Sequence, residues 1–518
     1  MKNRFMKKGI AIGLTAAVVS TCFVPTTVSA KKVDKKEKDK VAITTSISDP
    51  SNWIGKRHSL QEAYDIMDQL AENYPKYVEL SSIGATTKGN EIKVLKIASK
   101  NYNNKNENAK KAKEGQKPKK NEKTGIAYLA NIHGDEREAG ESALYLSAWF
   151  LENLNSPEVQ EILDKHVIYI IPILNPDSYD IFEYFVRGTS QLLDKNGDGV
   201  PCSDVYEDIT GDGWIGYLYA TDEDGKRTAN IGYESTDQDA NGWLGDDSWA
   251  SGYDINRNFD FQWAYEHAGK SSGEYAASEI ETQHIQNFLA ETPLEALVTV
   301  HTGIQAILYP WGYRDTDTNN PEEVADIEFM ANTAEKMRKA IESTTERNYY
   351  VSNSYHDYQT YSELIDYAYG VHGIHTYTME VICEGYDPEV TYKPDRNPNA
   401  FENNENFNIC LWNDPAWEGS RREYIPIDEF KELLAAKGMD YESIKVQDRA
   451  TKAEKKLSEM DAAYIEVNSS ERNQRGYYVA KDQDKLVEGA KNAFLQMIYS
   501  EGAVQDPAPK SNFLMLSL

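Results

Sequence analysis

Ile126-Ala-Tyr-Leu-Ala-Asn-Ile-His133-Gly-Asp-Glu136-Arg-Glu-Ala-Gly-Glu141 changes character twice within a short span. An apolar run reads as a buried strand, a polar turn follows, and a helix begins. His133 and Glu136 stand three apart where the strand ends. An imidazole and a carboxylate at that spacing can close on one small cation. Such a pair arises often by chance, so the rest of the chain must supply a third ligand, a base and a substrate anchor.

Working outward, strand and helix alternate. Leu60 to Tyr74 has helical spacing and is stopped by Pro75. Val78-Glu-Leu80 and Ile92 to Ala98 read as paired strands. Glu138 to Leu154 is a helix carrying Leu144, Leu146, Trp149 and Phe150. His166 to Leu174 is a continuous apolar run, as in a strand buried on both faces. Gly273 to Leu289 reads as a helix, Leu297 to His301 as a strand and Thr376 to Ile382 as another. This order implies an α/β fold with a mixed, largely parallel twisted sheet flanked by helices. Sites in such sheets form beyond the carboxyl ends of the strands, where His133 and His301 both fall. Ile427 to Ala436, Lys452 to Met460 and Asp484 to Tyr499 read as helices. Residues 413–518 are therefore expected to be a helical extension packed on the domain that spans 51–412.

The 518 residues carry a formal charge of −29, with 40% hydrophobic and 27% charged residues. So acidic a chain argues against nucleic acid, whose phosphates call for clustered Lys and Arg. Residues 1–30 match a secretory signal: Lys2, Arg4, Lys7 and Lys8, the apolar run Gly9 to Phe23, then Val28-Ser29-Ala30. Cleavage is expected after about Ala30, which makes the protein secreted. The apolar run is shorter than the ~20 residues that span a bilayer, so no stable membrane anchor is expected. Residues 31–50 form a Lys-rich tail. Cys202, Cys383 and Cys410 remain after cleavage and allow one bridge at most, its pairing open.

Between 192 and 251 the alternation gives way to an Asp/Gly-rich insertion. Asp194-Lys-Asn196-Gly-Asp198-Gly199 and Asp208-Ile-Thr210-Gly-Asp212-Gly213 repeat an oxygen-rich loop. Alternating oxygens before a Gly suit Ca²⁺. The twelfth positions are Val205 and Tyr219, so this is not an EF-hand pair. The other reading is an acidic surface insertion.

Three further stretches carry chemistry. Tyr253-Asp-Ile-Asn256-Arg257-Asn258-Phe259-Asp260 places Asn beside Arg, a fork of donors suited to a carboxylate. Val300-His301 ends a strand and completes a His, Glu, His set fit for catalytic Zn²⁺. Tyr377-Thr-Met-Glu380 puts a carboxylate on an apolar strand, where it needs a partner or a role.

Together these motifs resemble the zinc metallocarboxypeptidases of the carboxypeptidase A and B type, over about Asn52 to Cys383 and in that family's order. The resemblance is to a secreted, bacterial-like member with an Asp-rich insertion. It implies one zinc held by His133, Glu136 and His301, with Glu380 as the base that activates a zinc-bound water. It implies Asn256 and Arg257 as the clamp on the substrate's terminal carboxylate. Asn175-Pro-Asp177-Ser178 is similar to the family's Asn-Pro-Asp-Gly turn, and Arg187, twelve residues beyond Asn175, takes the place of the oxyanion-stabilising arginine. Tyr358 stands where the family's mobile tyrosine does, with Tyr355 and Tyr361 as competitors. Ile365 stands at the base of the specificity pocket, which implies apolar or aromatic C-terminal residues. The substrates implied are peptide or protein C-termini. Rival readings are a cell-wall peptidase of the same fold, cutting a non-standard amide, and a binding protein with a dead site. His372 and His375 match no ligand position, and Glu138 and Glu141 read as helix-start acids.

Overall fold

The computed structural model describes residues 47–100, 123–179, 188–189, 194, 197, 199–200, 203–204, 206–211, 215–246, 252–263, 272–382, 421–469, 480 and 482–501. Residues 1–30, Cys202, Cys383, Cys410 and Arg187 lie outside these residues. Among the described residues no helix is long and apolar enough to cross a membrane.

Helix α1 (Leu60–Asn73) begins where the sequence caps it. Ser59 accepts from the Glu62 backbone N–H at 3.2 Å while Glu62 accepts from the Ser59 N–H at 2.8 Å, a reciprocal cap. Strands β1 (Val78–Ala85) and β2 (Glu91–Ile97) pair antiparallel. The next elements are β3 (Thr124–Ala130), α2 (Arg137–Glu152), α3 (Pro157–Lys165) and β4 (His166–Ile171). Tyr217–Thr221 and Arg227–Tyr233 form β5 and β6. Then come α4 (Ile280–Glu291), β7 (Leu294–His301), β8 (Ala306–Tyr309), α5 (Pro321–Thr345), β9 (Tyr350–Asn353), α6 (Leu364–His372) and β10 (His375–Glu380).

The main sheet runs β1-β2-β4-β3-β7-β10-β8-β9. Its centre, β4-β3-β7-β10, is parallel, and the joins β1-β2, β2-β4 and β10-β8 are antiparallel. The fold is therefore α/β with a mixed, largely parallel sheet flanked by helices. Alternate residues of β3 feed opposite cores. Ile126, Tyr128 and Ala130 meet Leu144 and Phe150 of α2 and Met330 of α5. Ala127 and Leu129 meet Ile285 of α4 and Leu364 of α6. Burial on both faces is what makes these strands continuous apolar runs.

Two expected helices differ. The Gly273–Leu289 reading yields a helix only from Ile280. Gly273 sits at φ +89, and a Cβ there would lie 2.2 Å from the Asn258 amide nitrogen, so residues 273–279 wrap Asn258 instead. Lys452–Met460 is not an α-helix. Lys452 has φ +61, and Glu454–Lys456 forms a strand, β13, that leads into a single 3-10 turn, Leu457–Glu459.

The extension is consequently not helical throughout. Strands β11 (Arg421–Pro426), β12 (Lys445–Asp448), β13 and β14 (Tyr464–Ser469) join β5 and β6 in an antiparallel sheet ordered β11-β14-β5-β6-β12-β13. Leu218, Ile231, Ile425, Val446 and Ile465, with Phe430 and Leu434 of α7 (Ile427–Ala436), form its core. The last helix, α8 (Gln483–Ser500), lies on the main sheet's helices: Phe494 meets Tyr128 edge-on with ring centroids 5.2 Å apart.

Candidate active site

Strand β3 ends because Asn131 adopts φ +55, a conformation Asn tolerates better than most residues. Its Nδ2 donates to the carbonyls of His133 (2.9 Å) and Glu136 (3.0 Å), which pins the turn between strand and helix. Glu136 occupies the N-cap of α2, yet its carboxylate caps nothing. It faces two imidazoles instead. His133 Nδ1 lies 3.0 Å from Glu136 Oε1, His301 Nδ1 lies 3.0 Å from Glu136 Oε2, and the two Nδ1 atoms are 3.1 Å apart. All three side chains are buried.

This donor set fits zinc. With ligand atoms about 2.0–2.1 Å from the ion, tetrahedral donors stand roughly 3.3 Å apart, close to the spacing here. The outward nitrogens are fixed as metal-binding imidazoles require: His133 Nε2 lies 3.1 Å from Asp254 Oδ1, and His301 Nε2 lies 3.1 Å from Thr299 Oγ1. The Thr302 N–H donates to Glu136 Oε2 at 3.2 Å.

Glu380 ends β10 as the register partner of His301 on β7. Partners in a parallel pair share a face and stand about 4.8 Å apart. The carboxylate is thus delivered beside the imidazole. Antiparallel pairing with Ala306 fixes its other flank.

Asp254 works twice. Its Oδ1 also accepts from the Asn256 N–H at 2.9 Å, starting the 3-10 turn Ile255–Arg257. One carboxylate therefore ties the metal ligand His133 to the Asn256-Arg257 pair. Asn256 Oδ1 accepts from the Leu364 N–H at 2.9 Å. Arg257 Nη1 donates to Glu363 at 3.0 Å and Nη2 to the Tyr358 hydroxyl at 2.7 Å. Tyr358 is 52% exposed, so it can leave. Burial pushes the Glu363 carboxyl up, and the Arg257 charge draws it back down. Glu363, like Glu136, sits at a helix N-cap without capping it. Ile365 is buried on α6.

Arg187 lies outside the described residues, but its neighbour is held firmly. Asn175 Nδ2 and Ser178 Oγ both donate to the Gly188 carbonyl at 2.7 Å. Thr189 and Gly252–Tyr253 exchange backbone hydrogen bonds of 2.8 Å, which brings the two ends of the 190–251 stretch together. Asp177 accepts from the Lys88 N–H at 3.0 Å and from Asn90 at 2.9 Å. Of the expected calcium residues, Asn196, Asp198 and Asp212 also lie outside the described residues. Asp194 accepts from the N–H groups of Gly197 and Gly199, and Asp208 from that of Gly211.

Glu138 and Glu141 are structural. Glu138 accepts from the Ala480 N–H and from Gln483, and Glu141 pairs with His58 at 2.7 Å. His375 pairs with Glu501 at 3.0 Å. Sequence reading missed Asp254, Thr299 and Glu363 as supports. The signals were an Asp two residues before Asn256, a Thr two before His301 and a Glu two before Ile365.

The family model described as zinc carboxypeptidase matches residues 63–401, well over half of the chain. The chain belongs to the zinc carboxypeptidase family. Family membership with an intact His-Glu-His triad makes it a zinc metalloenzyme of the peptidase class. A zinc carboxypeptidase from Simulium vittatum is 23% identical over 280 residues, covering 52% of this chain and 68% of that relative. Carboxypeptidase A1 from Bos taurus is 23% identical over 334 residues, covering 62% of each chain. The chain thus spans 62–68% of the length of those two curated relatives. The solved carboxypeptidase A from Helicoverpa armigera is 18% identical, with a TM-score of 0.46, over 65% of this chain and 67% of that one.

Proposed function

We propose that this chain is a secreted carboxypeptidase that removes C-terminal residues from peptides or proteins. The observation that carries the reading is the convergence of His133, Glu136 and His301 within 3.0–3.1 Å, at strand ends that also carry Glu380.

A zinc ion held by those three side chains supplies Lewis acidity for a water and for the scissile carbonyl. Glu380 takes a proton from the attacking water and passes it to the leaving amine. Arg257 and Asn256 hold the substrate's terminal carboxylate, with the Tyr358 hydroxyl giving up its place on Arg257 Nη2. That anchor limits cleavage to the last peptide bond. Arg187, next to the clamped Gly188, stabilises the oxyanion as charge develops there. Ile365 favours apolar or aromatic C-terminal residues. The pattern of Met1 to Ala30 supports export.

The test is a product profile on a mixed peptide library with the mature protein, before and after chelation. Chelator-sensitive release of single C-terminal residues supports the reading. Release only of wall-peptide fragments would move the substrate to cell-wall amides, and inertness of zinc-replete protein would leave a binding protein.

A further inference from the structure

The stretch Asp237-Gln-Asp239-Ala-Asn241-Gly242-Trp-Leu-Gly-Asp246 takes no part in the peptidase chemistry. It places side-chain oxygens at its first, third and fifth positions and Gly at the sixth, the order of a calcium-binding loop. The backbone follows suit. Gly242 has φ +88, its N–H donates to the Asp237 carboxylate at 3.1 Å, and the Trp243 N–H donates to Asn241 Oδ1 at 2.6 Å. Asn241 Nδ2 links Asp239 (2.7 Å) to Asp246 (3.0 Å).

A cluster of acids alone does not make a site. The deciding residue comes from a separate segment. Asp204 is 1% exposed and brings a carboxylate oxygen within 4.8 Å of those offered by Asp237 and Asp239. Its Oδ1 accepts from the Gln238 N–H at 3.3 Å. Its Oδ2 is fully buried and meets no hydrogen-bond donor among the described residues. A buried carboxylate oxygen needs a donor or a cation. What surrounds Asp204 is further carboxylate, Asp239 and Asp246 included.

We propose that Asp204, Asp237, Asp239, Asn241 and Asp246 bind one Ca²⁺. Three carboxylates with oxygens within 4.8 Å of one another, and Asn241 and Asp246 hydrogen-bonded beside them, suit Ca²⁺, which takes six to eight ligands, over Mg²⁺, which demands a near-ideal octahedron and keeps its waters. The site is not an EF-hand: a distant Asp supplies what a helix-borne Glu would. Its position gives it a structural role. The Gly242 carbonyl accepts from the Lys445 N–H at 2.7 Å, Leu244 bridges to Gly232, and Leu244 is buried in the core of the smaller sheet. The ion therefore staples the 237–246 loop to β6 and β12. It uses residues other than those of the Asp194 and Asp208 loops.

The test uses the full-length, zinc-loaded protein. Ca²⁺ raises the unfolding temperature, and Tb³⁺ binds with emission sensitised by Trp243 and reversed by Ca²⁺. Asp204→Asn and Asp239→Asn each weaken Ca²⁺ binding at least tenfold and raise the unfolding temperature of the Ca²⁺-free protein, because each removes repulsion. Trp243→Phe loses the emission and keeps the Ca²⁺ midpoint, and Asp208→Asn keeps both. The proposal is overturned if millimolar Ca²⁺ produces no shift, if Asp204→Asn and Asp239→Asn retain the full shift, or if Mg²⁺ matches Ca²⁺ at equal concentration.

Discussion

Asp254 carries more of the site than its place in the sequence suggests. It fixes the outward nitrogen of His133 and starts the turn that presents Asn256 and Arg257. Losing such a partner typically costs 10- to 100-fold in metal affinity. Asp254→Asn is therefore expected to weaken zinc by about that factor, read by competition with a chromophoric chelator, and to raise KM as well. Arg257→Lys separates the two effects. A point charge replaces a planar fork, so KM for peptides rises at least about tenfold while zinc affinity holds. The His133, Glu136 and His301 cluster was legible because His301 ends an apolar strand and the other two sit in the turn that follows one. Asp254 and Glu363 were not, since an acid in a polar stretch gains meaning only when distant chain brings it a partner.

At the scale of elements, β3, its turn and α2 were legible because their periods differ sharply. The false helix at Lys452–Met460 came from a charged stretch that closes a short hairpin with β12 instead, with Lys452 at φ +61 in the turn. β4 allows a pH test. Burial, then the nearby charges of Lys165 and Lys123, hold the His166 imidazole down to about 4. The unfolded chain takes up that proton near 6.5. Between those values the unfolded state holds more protons, so this group's contribution makes stability rise with pH from about 4 to 6.5, by on the order of 3 kcal/mol. Urea unfolding of the protein and of His166→Asn across this range checks it. The difference between their pH slopes should disappear above pH 6.5 and grow below it.

On the scale of the whole molecule, residues 217–233 and the C-terminal region share one sheet, with β5 and β6 at its centre and β14 and β12 on either side. No local signal could announce that pairing, because its partners lie more than two hundred residues apart in sequence. The helix α8 was legible from its apolar stripe. Phe494 is fully buried against Tyr128 and Phe150. Phe494→Ala is expected to cost about 3–5 kcal/mol in urea unfolding, with zinc stoichiometry of the folded fraction unchanged.

The central claim is that Glu380 acts on substrate at a metal site it does not help to build. The direct measurement is zinc content and peptide turnover of Glu380→Gln beside the unaltered protein. One zinc per chain with turnover reduced by about 10²- to 10⁴-fold is the predicted result. Near-normal turnover, or loss of the zinc itself, would contradict it.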